Sequence, residues 1–279
     1  MKVLRYLAVG LIALVVIAYA GMVGLLYFKQ RDFQYSPAGE ITELAATALR
    51  NAEAVAIPTA DGAVVNGWYA PPQAGKPVIL FYKGNTGSFS AEYERYETWT
   101  AEGYGFLAFD YRGFPLSPGS INQAGVLADA MAAFDWLAAK GAPILIWGRS
   151  LGTGPATYVA SERSADALLL ETPFLSAATV AAERYWFAPV RWLMQDQFPV
   201  DEWIRTVEEP VLVAHGTADE TIAVSNGERV YALAPRPHEL WIVPGGTHGD
   251  LWDHGLWAKA KEFFAAVGPG AGAPQPTSH

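Results

Sequence analysis

Ile144-Leu145-Ile146-Trp147-Gly148-Arg149-Ser150-Leu151-Gly152-Thr153-Gly154 reads as a buried strand that runs abruptly into a Gly-rich turn and then a helix. Four apolar residues, Ile144 to Trp147, precede the turn, and a helix-compatible run over 155–162 follows it. The turn itself carries Gly148-x-Ser150-x-Gly152. In that setting the serine sits on a strained strand-to-helix bend with its hydroxyl pushed out past the sheet edge. The helix N-terminus behind it presents unpaired N–H groups and a positive dipole end. Such a serine is built to attack a carbonyl. Glycine is required at 148 and 152, because a Cβ at either would collide where helix and strand cross closely.

Working outward, residues 77–82 and 104–111 are short, almost wholly apolar strands separated by a helical segment over 90–102. The pattern repeats as helix 122–140, strand 143–147, helix 153–163, strand 167–171, strand 210–215, helix 225–234, strand 239–244 and helix 250–267. Continuous apolar strands alternating with helices predict an α/β fold, a mostly parallel sheet with helices on both faces. Residues 53–60 and 63–70 flank Asp61-Gly62, a strong hairpin signal, and predict an antiparallel edge. A short helical stretch is expected around 41–49. The segment 174–209 is too long for a simple connection. It predicts a short helical cap of two amphipathic helices, with the breakers Pro189 between and Pro199 after them. The stretch 268–279 is rich in breakers, lacks periodicity and is expected to be a disordered tail.

Half of the 279 residues are hydrophobic and 17% are charged, ample material for one large hydrolytic-sized core over 50–267. With no cysteine, disulfides and thiolate metal sites are excluded, and the redox compartment stays open. The first 31 residues hold Lys2, Arg5, Lys29 and Arg31 and no acid, so the remainder carries 15 basic against 28 acidic residues. A body that acidic argues against nucleic acid as a partner.

From Tyr6 to Phe28 the chain runs 23 residues without a charge. At ~1.5 Å per residue that crosses a hydrocarbon core of ~30 Å with some tilt. Residues 1–30 therefore read as an N-terminal transmembrane anchor and 31–49 as a linker. The alternative is a cleavable signal peptide ending at Ala18-Tyr19-Ala20, but the apolar run continues past Ala20. The expected arrangement is start inside, catalytic body on the extracytoplasmic side.

In an open parallel sheet, ligands sit beyond the carboxyl ends of the strands. Gly216-Thr217-Ala218-Asp219 follows strand 210–215, and Gly245-Gly246-Thr247-His248 follows strand 239–244. Ser150, Asp219 and His248 are thus the candidate nucleophile, orienting acid and base, in the order Ser, Asp, His. Glu171, which ends a strand on the same rim, is the rival acid. Of the other histidines, His215 reads as a loop brace and none reads as a metal ligand. Asp110 and Arg112 read as loop-pinning groups, and Arg149 as either structural or anion-steering.

The chain resembles the α/β-hydrolase superfamily over about residues 50–267, most of all its small membrane-anchored serine-hydrolase branch, which includes α/β-hydrolase-domain depalmitoylases. The likeness rests on Lys83-Gly84-Asn85-Thr86-Gly87, Phe109-Asp110-Tyr111-Arg112-Gly113, Gly148-Arg149-Ser150-Leu151-Gly152, His215-Gly216-Thr217-Ala218-Asp219 and Gly246-Thr247-His248. The resemblance implies an oxyanion hole made by the backbone N–H groups of Asn85 and Leu151. The sequence departs from the family at Lys83, where a histidine usually braces the loop.

The expected chemistry is hydrolysis of a carboxylic ester or thioester through an acyl-enzyme on Ser150, with no cofactor and no metal. Amide or peptide hydrolysis on the same triad and a non-catalytic, membrane-tethered binding role are the alternatives. The expected substrate is a small-molecule or lipid-like acyl compound. The aromatic residues Trp186, Phe187, Trp192 and Phe198 of the cap are the candidate substrate-binding groups, or alternatively packing within the cap.

Overall fold

The structure, a computed structural model, describes residues 1–268. Eight strands are present: β1 (Glu53–Pro58), β2 (Val64–Ala70), β3 (Val78–Tyr82), β4 (Gly105–Phe109), β5 (Ile144–Arg149), β6 (Ala167–Glu171), β7 (Val211–Gly216) and β8 (Pro237–Val243). They form one sheet in the order β1-β2-β4-β3-β5-β6-β7-β8. The hairpin β1-β2 runs antiparallel and pairs antiparallel with β4, and every later pairing is parallel. This is the α/β-hydrolase fold. Strands β3 to β7 are buried at every position except Arg149 at the end of β5, which is why they read as almost unbroken apolar runs.

Side chains alternate between the two faces of each strand, so each face has its own core. On one, Val78, Leu80 and Ile146 meet helices α3 (Gln123–Ala138) and α4 (Thr153–Glu162) and the helix over Val224–Leu233. On the other, Ile79, Phe81 and Trp147 meet α2 (Tyr93–Ala101) and the C-terminal helix Leu256–Val267. Aromatic rings dominate this second core, where Trp99 lies within 6.4 Å of Phe81, Trp147, Trp252 and Trp257.

Several boundaries differ from the sequence reading. The N-terminal helix α1 spans Lys2–Gln34, so the first residues of the expected linker are helical. Around 41–49 only a single 3-10 turn, Leu44–Ala46, forms. The helix expected from 250 begins at Leu256, because Gly255 is left-handed at φ 94° and Asp250 to Gly255 are spent on turns. The cap holds three short helices rather than two, α5 (Ala177–Arg184), α6 (Val190–Leu193) and α7 (Val200–Trp203). Pro189 and Pro199 each stand immediately before a helix and start it instead of ending one. The tail, from residue 269 on, lies outside the described residues.

The crossing of α4 over the sheet is as close as the sequence requires. A Cβ on Gly148 would lie 2.6 Å from the Ala156 Cβ, and one on Gly152 would overlap the Tyr82 carbonyl. Gly152→Ala should therefore destabilise the protein by at least ~2 kcal/mol, as overpacking against backbone does. Urea unfolding checks this, and a midpoint equal to the parent's would contradict the packing.

Candidate active site

Ser150 follows β5 at φ 51°, in the left-handed region that an L-residue enters only when its surroundings hold it there. Extended backbone before it and the 3-10 turn Ser150–Gly152 after it lift its side chain to the carboxyl edge of the sheet. Asp219 and His248 lie in the loops after β7 and β8, on the same edge. His248 Nδ1 donates to Asp219 Oδ2 at 2.8 Å. That leaves Nε2 to accept from Ser150 Oγ at 2.9 Å. The three residues, 98 and 29 positions apart along the chain, form one hydrogen-bonded line.

Asp219 is held by more than His248. Its Oδ1 accepts from the backbone N–H groups of Thr221 and Ile222, both at 2.8 Å. Its Oδ2 also lies 3.2 Å from Nε2 of His215, a fully buried ring at the end of β7. Burial alone would raise this carboxyl's pKa. The hydrogen bonds from His215 and His248 and the Ile222 amide outweigh it and hold the group well below the usual carboxylate range. His215 Nε2 also donates to the Ile222 carbonyl at 2.9 Å, so the brace expected of His215 is on the turn that carries the acid. Its position four residues before Asp219, at a strand end, was the signal for this.

Glu171 is elsewhere engaged. It is fully buried, accepts both Arg95 Nη1 and Nη2 at 2.8 and 2.9 Å, and takes a third bond from Trp147 Nε1 at 2.9 Å. Arg149 joins the same cluster, with Nε 3.4 Å from Glu171 and Nη1 3.2 Å from Glu92. Of the two readings of Arg149, the structural one holds. Asp110 and Arg112 pin loops as expected. Asp110 accepts from the amides of Phe89 and Leu116, and Arg112 bridges Asp61 and Asp129.

Ser150, His248 and Asp219 open onto a cleft of about 860 Å³ that Asn85 and Leu151 also line. The Leu151 amide opens a helical turn and so lacks an intrahelical acceptor. Lys83 braces the Asn85 loop: its Nζ donates to the Gly84 carbonyl at 3.1 Å, faces Asp110 at 3.9 Å and sits 3.6 Å over the Phe114 ring. The bracing duty usual for a histidine is therefore filled by this ammonium. Among the described residues, no group of three or more His, Cys, Asp or Glu side chains is arranged to hold a metal ion.

The four aromatic candidates of the cap do not line the cleft. Trp186 and Trp192 point outward, 81% and 85% exposed, and Phe187 is also on the surface. Phe198 is fully buried in the core, its ring close against Gly154. A spacing pattern in so short a segment does not tell which face of each helix turns inward. The cleft wall is instead built by Phe174, Val180, Tyr185, Leu193 and Ile222, together with residues of α1.

The uncharacterized protein Rv2307c of Mycobacterium tuberculosis is 34% identical to this chain over 256 residues, which are 90% of this chain and 91% of that protein. The chain belongs to one family with that protein. Lysophosphatidylserine lipase ABHD12 of Rattus norvegicus is 32% identical over 213 residues, 66% of this chain and 53% of that larger protein. Among solved structures, Pyrococcus furiosus esterase Pf2001 superposes with a TM-score of 0.68 at 20% identity, covering 83% of this chain and 99% of its own. At that identity the likeness speaks for the fold alone. No family model matches the chain.

Burial pushes the Lys83 ammonium down to about 8 from 10.5, against the pull of Asp110 and Glu92. Between those two values the unfolded chain binds more protons than the folded one, so this residue's contribution to stability rises with pH. The destabilisation is full below pH ~8 and fades as pH approaches 10.5. The stability of the parent relative to Lys83→Met should therefore rise by about 2 kcal/mol between pH 7.5 and 10. Denaturant unfolding at the two pH values measures it, and a difference that does not change with pH would contradict the burial of a titrating ammonium.

Proposed function

We propose that the protein is a membrane-anchored serine hydrolase that cleaves the carboxylic ester of a lipid-like acyl substrate. The observation that carries this reading is the unbroken line from Asp219 Oδ2 through His248 to Ser150 Oγ at the floor of a largely apolar cleft. Ser150 Oγ attacks the acyl carbonyl while His248 Nε2 takes its proton, and Asp219 fixes the tautomer and stabilises the imidazolium. The amides of Leu151 and Asn85 receive the developing oxyanion. The imidazolium then protonates the leaving alcohol, and water, deprotonated by His248, releases the acid from Ser150.

Two further observations support the lipid-like class. A named relative is a lysophosphatidylserine lipase, which favours an acyl ester of a lipid over a protein thioester. The first 20 residues of α1 are exposed throughout, and its apolar window is not buried against the body. An apolar helix left uncovered in water would be strongly disfavoured, so it is assigned to a bilayer. The exposed Trp186, Phe187 and Trp192 then fall beside that helix, where amphipathic rings settle at a membrane interface. Lys2 and Arg5 keep the start inside, with the body on the extracytoplasmic side.

Ser150→Ala should abolish turnover of p-nitrophenyl esters and labelling by a fluorophosphonate probe while leaving the thermal midpoint close to the parent's. More than about a tenth of parental turnover in that variant would defeat the nucleophile assignment. For the acids, Asp219→Asn should lower kcat by ~10³ to 10⁴ by leaving His248 in the wrong tautomer. Glu171→Gln should instead lower the thermal midpoint, since it weakens a buried pair with Arg95, and affect kcat far less. The opposite ranking in steady-state kinetics would transfer the acid to Glu171.

A further inference from the structure

The membrane helix does more than tether. Val23, Leu26, Tyr27, Gln30, Phe33 and Gln34, spaced three or four apart on one face of α1, line the same cleft as Ser150 and His248. Val23, Leu26 and Tyr27 belong to the charge-free run over 6–28, so the cleft begins where the helix is still apolar enough to lie in hydrocarbon.

Two sets of contacts hold the helix in that position. Toward the cap, Tyr19 Oη donates to the Phe187 carbonyl at 2.9 Å and the Gln195 amide donates to Gln30 Oε1 at 2.7 Å. Arg31 Nε donates to the buried Asp196 Oδ2 at 2.8 Å, an oxygen that also accepts from Tyr35 Oη at 3.1 Å. Toward the oxyanion loop, Asn85 Nδ2 donates to the Gln34 carbonyl and the Ser36 amide donates to the Asn85 carbonyl, both at 2.9 Å. The Gly87 amide closes the clasp on the Ser36 carbonyl at 2.9 Å. Asn85, assigned above to the oxyanion hole, is thereby bound through both its side chain and its carbonyl to the end of α1.

We infer that α1 is one wall of the active site and that the acyl chain of the substrate lies along its Val23–Leu26–Phe33 stripe. Resting on the hydrolase reading above, this makes the substrate an acyl lipid drawn from the leaflet on the body's side, its chain passing from hydrocarbon to Ser150 without crossing water. From Phe33 back to Val23 the helix rises ~15 Å, the length over which the chain is read. Each methylene seated on this wall should raise kcat/KM about fourfold until the wall is used up. Val23 and Leu26, at its far end, set the chain-length preference.

The test uses the full chain in phosphatidylcholine nanodiscs and p-nitrophenyl esters from acetate to palmitate. In Leu26→Trp the ratio of kcat/KM for dodecanoate over acetate should fall at least tenfold. Val16→Trp, on an exposed part of the same helix outside the cleft, should keep the parental ratio. A parental ratio in Leu26→Trp would overturn the inference. A second measurement needs no variant: an alkyl fluorophosphonate with a diazirine at the chain end labels Ser150 and crosslinks to whatever its tail touches. Crosslinks on the tryptic peptide 6–29 support the wall, and crosslinks confined to the cap segment 177–194 refute it. If the probe fails to label Ser150, the hydrolase reading falls with it.

Discussion

The tightest constraint in the molecule is the crossing of α4 over β3 and β5. With no room for a Cβ at Gly148 or Gly152, the chain turns within a few residues and Ser150 is held left-handed at the turn's tip. The strain is sustained because both flanking elements are anchored in the core: β5 is buried from Ile144 to Gly148, and α4 buries seven of its residues. Every other feature of the site is aimed at that hydroxyl. The loops after β7 and β8 bring Asp219 and His248 to it, and the loop after β3 lines the same cleft through Asn85.

Electrostatics sort the rim into separate duties. Two buried carboxylates end adjacent strands or their loops, and each is neutralised by a different partner set. Glu171 is locked by Arg95, Arg149 and Trp147 on the side of the aromatic core, where it stiffens the floor beneath the elbow. Asp219 takes its bonds from two imidazoles and two backbone amides and so stays ionised beside a ring that can carry a proton. The oxygens of Glu171 face Arg95, Arg149 and Trp147, whereas Oδ2 of Asp219 faces His248.

The helix α1 is joined to this arrangement by ordinary hydrogen bonds. Its clasp on Asn85 and its ion pair with Asp196 use groups at the polar end of an otherwise apolar helix. Cap and helix therefore hold each other, and the exposed Trp186, Phe187 and Trp192 of the cap lie outside the cleft.

The alternation of apolar strands and helices, the Gly-x-Ser-x-Gly turn, the order Ser150, Asp219, His248 and the charge-free run over 6–28 were all legible in the chain alone. Each is a short-range pattern, set by the period of an element or the sterics of one turn. Local signals failed where a choice depended on packing between distant segments. Phe198 and Trp192 are equally aromatic, yet one is core and the other is surface, because only the cap's contact with Gly154 of α4 distinguishes them. Asp219 and Glu171 both end up on the strand-end rim, and the position of Arg95, 76 residues before Glu171, separates them. The sequence by itself determined the α/β architecture, the sharp turn that carries Ser150 and the long apolar stretch at the N-terminus. The tertiary structure alone decided which acid faces His248, that Lys83 packs against Asp110 and Phe114 beside the Asn85 loop and that α1 lines the cleft, since each depends on groups brought together by the fold.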